Sequence, residues 1–213
     1  MRPRPAGAFD YRQEETMKTI RIDEATMAKR VARYGELEPL PVQSNPRIPQ
    51  AARDVIYARK LLSVVGLDHA ADTPISAKAP IVGAGGITIT YAVCPPGQGP
   101  SLHAHQATYE TFTVMQGRFE VAWNDEGENR IELGPFDAIS VPPGVCRAFR
   151  NIGEGEGVLQ VIISGGVHDR NDIDFAQASA RRIEQVGPGI LDEFRKVGFT
   201  FTAGEDEVLE KAR

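Results

Sequence analysis

Two imidazoles and a carboxylate at short spacing are the residues of this chain best suited to chemistry. His103-Ala104-His105 holds two of the four histidines in the protein, and Glu110 follows five residues after the second. In an extended segment side chains alternate between faces, so His103 and His105 point one way and Leu102 and Ala104 the other. A turn at 106–108 brings Glu110, early on the next strand, back beside them. Two neutral imidazoles and a carboxylate converging on one face form a site for a divalent transition metal. A lone His-x-His pair is more often surface or core filler, so the surrounding elements must supply the convergence.

Those elements read as strands. From residue 85 the apolar period is two: Ile87, Ile89, Tyr91 and Val93 alternate with Thr88, Thr90 and Ala92. Short segments follow at roughly 101–106, 109–116, 118–124, 129–133, 137–142, 146–151 and 157–164, with Gly, Pro and Asp between them. Eight short strands with tight turns and no intervening helix predict an all-β antiparallel sandwich or barrel. In that register Phe112 and Val114 share a face with Glu110, and Phe149 shares one with Arg147. Gln160, on the last strand, is read as a further inward-facing residue. Phe119, Val121 and Trp123 share one face of their strand, with Arg118 and Glu120 on the other.

The flanks read differently. Residues 1–17 are Pro- and Arg-rich and are expected to be a disordered lead. The segment 18–84 holds a helix capped by Asp23, running to about Tyr34 and burying Met27, Val31 and Tyr34. A proline-rich arm spans 37–49, and 51–65 begins as a helix and ends as either helix or strand. A polar loop at 68–78 closes this part. After the barrel at 85–165, residues 166–213 are expected to be a C-terminal helical extension, with helices near 175–186 and 190–197.

Bulk properties narrow the classes. A chain of 213 residues with 41% hydrophobic and 25% charged residues can bury one ordinary core. A net charge of −5 argues against a nucleic-acid surface. The sequence has no apolar run of about 18 residues that would span a membrane, and the first residues lack a secretory h-region. Two cysteines, Cys94 and Cys146, make no disulfide framework, and a reducing cytoplasm is the expected location.

The central stretch resembles the first sequence motif of the cupin superfamily at Gly97, His103, His105, Glu110 and Gly117. Gly134, Pro142, Gly144 and Asn151 resemble the second motif. The resemblance covers about 80 residues and implies a jelly-roll barrel, a double-stranded β-helix. One position departs from it: Arg147 stands where such cupins carry a histidine that commonly serves as the fourth metal ligand. Arginine stays protonated and offers no lone pair.

Two readings follow from the resemblance. In one, His103, His105 and Glu110 hold a divalent metal, iron first, with zinc, nickel or manganese also suited. Arg147 is then the catalytic residue that orients an anionic or aromatic small substrate, in an oxidoreductase of dioxygenase type. In the other, Arg147 pairs with Glu110 in the metal's place, and the protein binds or senses a small ligand without catalysis. Cupin isomerases and lyases are further relatives of the same fold. Cupins commonly pair, and the arm at 37–49 has the composition of a segment that wraps a neighbour, so a homodimer is expected. His69 and His168 fall in loops, and Asn151 is read as structural.

Overall fold

The computed structural model describes residues 19–67, 79–165 and 172–204. The expected disordered lead, the loop at 68–78, His69, His168 and the end of the charged tail lie outside the described residues.

In chain order, helix α1 (Glu24–Ala28) and α2 (Gln50–Ile56) precede strands β1 (Lys60–Gly66) and β2 (Ile81–Val82). Then come β3 (Thr88–Cys94), β4 (His103–His105), β5 (Tyr109–Gln116), β6 (Phe119–Trp123) and β7 (Asn129–Leu133). The run continues through β8 (Ala138–Val141), β9 (Arg147–Asn151), β10 (Gly157–Ser164) and β11 (Ile173–Ala176). Helices α3 (Gln177–Glu184) and α4 (Ile190–Lys196) and strand β12 (Thr200–Ala203) finish it.

The strands form two six-stranded sheets, in the orders β2-β1-β3-β10-β5-β8 and β12-β11-β4-β9-β6-β7. Their alternation follows from the sequence period: the inward residues of β3, β5 and β10 meet those of β6 and β9 in one core containing Phe112, Val114, Phe119, Val121, Phe149, Leu159 and Val161. The Phe149 ring sits between Phe112 and Phe119, at centroid distances of 5.1 and 6.1 Å. Glycine is required where backbones touch: a Cβ on Gly99 would lie 1.9 Å from the Phe149 carbonyl oxygen.

Several expectations are corrected. The sheets are mixed, because β1–β2 and β11–β12 pair in parallel while the central strands are antiparallel. The first helix stops at Ala28, and Met27, Val31 and Tyr34 are 52, 46 and 51% exposed instead of forming a buried face. The spacing of these residues is helical, but five residues are too few to present a stripe to a core. The proline-rich segment folds onto its own chain. Leu40 and Ile48 are buried, Pro39 bridges to Leu62, the Leu40 N–H bonds to the Leu61 carbonyl, and a short 3₁₀ turn spans Pro41–Ser44. The stretch after residue 57, left open between helix and strand, is the strand β1.

The C-terminal segment is also only partly helical. Its β11 pairs antiparallel with β4, and β12 pairs with β11. Phe175, Ile183, Leu191, Phe194 and Phe201 pack with Ile48, Ala52, Val55 and Ile56 of the N-terminal part in a second apolar cluster. Both flanks therefore meet beside the strand that carries the histidines.

Candidate metal centre

Strand β4 is only three residues long, and its position is over-determined. On one side Ile173 and Phe175 of β11 stand opposite His105 and His103; on the other, Arg147 of β9 stands opposite His103. Residues opposite one another on a sheet share a face, so both imidazoles and the guanidinium point between the sheets. Before β4, Ser101 is anchored to α2 and α3: its N–H and hydroxyl both bond to the Val55 carbonyl, and its hydroxyl lies 2.8 Å from that of Ser179. After it, the Gly144 N–H donates to the His105 carbonyl at 2.7 Å. Gly144 holds φ near 79°, a left-handed conformation that glycine adopts without a Cβ penalty.

Glu110 comes from the opposite sheet. The turn after His105 crosses between the layers, and Glu110 lies on β5 opposite Ile163 and Val141. Glu110, His103 and His105 are 5, 6 and 2% exposed. Glu110 Oε2 is 3.5 Å from His103 Nε2 and 3.6 Å from His105 Nε2. The three ligand atoms all lie within 4.8 Å of one another. Ligand atoms bound about 2.0–2.2 Å from one divalent ion stand roughly 3 to 3.6 Å apart.

The other ring nitrogens settle the tautomers. His103 Nδ1 is 2.9 Å from the Ser101 carbonyl, an acceptor, so it carries a proton and donates. His105 Nδ1 is 2.9 Å from Asp172 Oδ2 and 3.0 Å from Thr108 Oγ1. Thr108 donates its own proton to Asp172 at 2.5 Å, so His105 Nδ1 must donate as well. With both Nδ1 atoms donating, both Nε2 atoms are left to face Glu110 Oε2, which has no hydrogen-bond partner among the described residues. With both rings neutral, these three buried atoms converge on one point as acceptors, an arrangement that can hold a cation. The donor set fits a divalent transition metal.

Burial pushes the His103 imidazole below its ordinary value, with Arg147 and His105 acting the same way and Glu110 opposing. A neutral ring is the form that ligates. Burial works against a charged Glu110, but His105, His103 and Arg147 outweigh it and hold the carboxyl down at about 2. Burial likewise opposes the Asp172 charge, and contacts with His105, Thr108 and the Ala107 N–H hold its carboxyl far below the usual range.

Arg147 is fully buried. Its Nη2 donates to the Pro142 carbonyl at 3.2 Å, and its Nε lies 3.5 Å from Glu110 Oε2. Neither Nε nor Nη1 makes a hydrogen bond among the described residues. Burial lowers the guanidinium pKa and Glu110 partly restores it.

Of the other residues read from sequence, Phe112, Val114 and Phe149 are buried in the core on the same inner faces as Glu110 and Arg147. Gln160 is a correction. It stands opposite Tyr91 and Thr113, while Leu159, Val161 and Ile163 take the inner positions opposite Ala92, Val114, Phe112 and Glu110. Gln160 therefore faces away from the space between the sheets. Tyr109 is 46% exposed and Gln106 is exposed. Asn151 is structural: its Nδ2 donates to the Cys94 and Gly155 carbonyls and its Oδ1 accepts from the Gly153 N–H.

Sequence reasoning missed Asp172. It lies far downstream of the histidines, ahead of the helix expected near 175–186, and only the pairing of β11 with β4 brings it to His105.

The family model for the cupin domain matches residues 90–163, a span that contains all four site residues. Solved structures with similar folds include the Schizosaccharomyces pombe Cnp3 cupin domain, 18% identical with a TM-score of 0.36, over 39% of this chain and 58% of that one. A Bacillus halodurans protein is 22% identical with a TM-score of 0.38, over 41% of this chain and 69% of its own. A cupin protein from Bacteroides fragilis is 22% identical with a TM-score of 0.35, over 38% of this chain and 68% of its own. The chain thus spans under two thirds of the first of these. Comparison with curated proteins found no match.

Proposed function

We propose that this cupin domain binds a divalent transition metal through His103, His105 and Glu110 and uses it in an oxidoreductase reaction of dioxygenase type. The observation that carries the reading is the convergence of His103 Nε2 and His105 Nε2 on a buried Glu110 Oε2 that has no hydrogen-bond partner among the described residues. Two imidazoles and one carboxylate leave coordination positions open, the arrangement of non-haem iron sites. Iron is the first choice, and zinc, nickel and manganese suit the same donors. Bound there, the metal supplies Lewis acidity and a template for substrate and O₂.

The chain's own residues do the rest. Arg147 Nε and Nη1 are buried donors without hydrogen-bond partners, and they suit the carboxylate or phenolate oxygen of a small organic acid or aromatic substrate. Phe112, Val114 and Phe149 provide an apolar floor beneath it and keep water out.

A second reading is favoured by one contact. Arg147 Nε stands 3.5 Å from Glu110 Oε2, so the guanidinium can neutralise the carboxylate without a metal. The protein is then a small-ligand binding or sensing cupin without catalysis. Metal analysis of protein purified without a chelating column separates the two. Near-stoichiometric metal in the wild type, lost in His103→Ala, supports the first; trace metal in both supports the second. The exposed apolar side chains Ile20, Ile22, Met27, Val31 and Tyr34 support pairing of two copies through the N-terminal segment, in place of the proline-rich arm, and light scattering tests it.

A further inference from the structure

The geometry points to Asp172 as the positioning residue of the metal centre, acting through His105. The inference rests on the metal reading above and extends it to a strand outside the matched cupin segment.

Asp172 is 7% exposed and uses both carboxylate oxygens. Oδ1 accepts the Ala107 N–H at 2.7 Å, in the turn that leads from the histidine strand to Glu110. Oδ2 accepts from Thr108 Oγ1 at 2.5 Å and from His105 Nδ1 at 2.9 Å. Its own carbonyl accepts the Gln106 N–H at 2.8 Å. One residue therefore binds His105 and each of the three residues after it. Those are the residues that carry the chain from one sheet to the other and set the distance from His105 to Glu110.

The effect on His105 is specific. A carboxylate has no proton to give, so His105 Nδ1 must hold one and Nε2 is left with a free lone pair toward the metal. His103 receives the same instruction from a main-chain carbonyl, which no side-chain substitution can change. His105 alone takes it from a side chain, so one of the two ligands depends on the C-terminal segment. An amide at position 172 can present its N–H₂ to Nδ1, which moves the imidazole proton to Nε2 and removes the lone pair from the site.

The test uses full-length Asp172→Asn with Asp174→Asn as control. Asp174, two residues on in β11, is a second buried carboxylate; it accepts from the Thr202 N–H and hydroxyl and stands opposite Ala104. Co(II) affinity is measured by calorimetry and by visible absorption. The His105 tautomer is read from ¹⁵N shifts of the metal-free protein, assigned by the signal missing in His105→Gln. Asp172→Asn is expected to weaken Co(II) binding about 10- to 100-fold and to shift His105 toward the Nε2–H form. Asp174→Asn is expected to change neither. An unchanged affinity and tautomer in Asp172→Asn overturn the inference and leave the metal reading standing. Equal losses in both variants also overturn it, since they show only that the strand matters. Wild-type protein that binds no Co(II) overturns the metal reading and this inference with it.

Discussion

Arg147 Nε and Glu110 Oε2 lie 3.5 Å apart between the two sheets, oppositely charged and buried, without a hydrogen bond between them. The separation is long for a closed ion pair, in which N–H⁺ and O⁻ approach to about 2.8 Å. It leaves the carboxylate oxygen facing two imidazole lone pairs and leaves the guanidinium two free donors. The pair is half made, and each partner has a reason to seek something else.

Arg147→His removes the buried cation and adds a third imidazole, a fourth ligand position facing His103, His105 and Glu110. If Arg147 anchors substrate, the variant retains or tightens metal while turnover falls by at least about 100-fold, the scale of losing a transition-state charge contact. If Arg147 takes the metal's place, the wild type is metal-free and the variant acquires binding. Co(II) titration of both proteins distinguishes these outcomes.

Gly99→Ala places a methyl group 1.9 Å from the Phe149 carbonyl oxygen and 2.8 Å from its carbon. Both obstacles are backbone, so β9 itself must move. Urea denaturation is expected to show a loss of at least about 2 kcal/mol, the scale of overpacking. Gly155→Ala, where a Cβ meets nothing within 4 Å, serves as the control and stays within about 0.5 kcal/mol.

Asn151→Ala strands the Cys94 and Gly155 carbonyls and the Gly153 N–H, all of which the amide now satisfies. The Cys94 carbonyl is buried while Gly153 and Gly155 can turn to water, so the loss is about 1–3 kcal/mol, the scale of one buried group left unpaired. Thermal unfolding is expected to report the loss, with metal affinity in the surviving folded fraction unchanged.

Cys94 and Cys146 are both buried and unpaired with each other, and burial pushes each thiol up to about 12. Neither is expected to react with an aromatic disulfide reagent at pH 8 until urea unfolds the protein, when two equivalents appear. The linkage has a definite sign. Unfolded thiols ionise near about 8.5 while the folded ones stay protonated to about 12, so their contribution to stability is complete below that window and is lost as pH rises through it. Denaturation midpoints at pH 8 and 10.5, compared with Cys94→Ala, check it.

The period-two alternation and the glycine and proline turns made the central strands legible in the sequence, almost to their ends. The same alternation put His103 and His105 on one face, Phe112 and Val114 on a face with Glu110, and Phe149 on a face with Arg147, while the cupin resemblance brought Arg147 to the metal position. The alternation failed at Gln160, because a hydrophobic run such as Val158 to Ile163 does not say which parity faces inward; the pairing of Ile163 with Glu110 does. The flanks were harder. Helical spacing at Met27, Val31 and Tyr34 suggested a buried stripe, and only the structure shows that the helix ends after five residues. The strand at Ile173–Ala176 went unread, its end taken as the start of the helix near 175–186, because its partner strand lies far back in the chain and leaves no local trace. Asp172 was hidden for the same reason.

The pairing of β1 with β3 and of β11 with β4 bears on where this domain can be cut. A fragment trimmed to the matched segment, or even to 85–165, would strip one neighbour from each sheet. Unpaired N–H and C=O groups would then line both β3 and the histidine strand, an invitation to edge-to-edge aggregation. Transplanting this centre into another scaffold therefore means carrying the outer strands along with it.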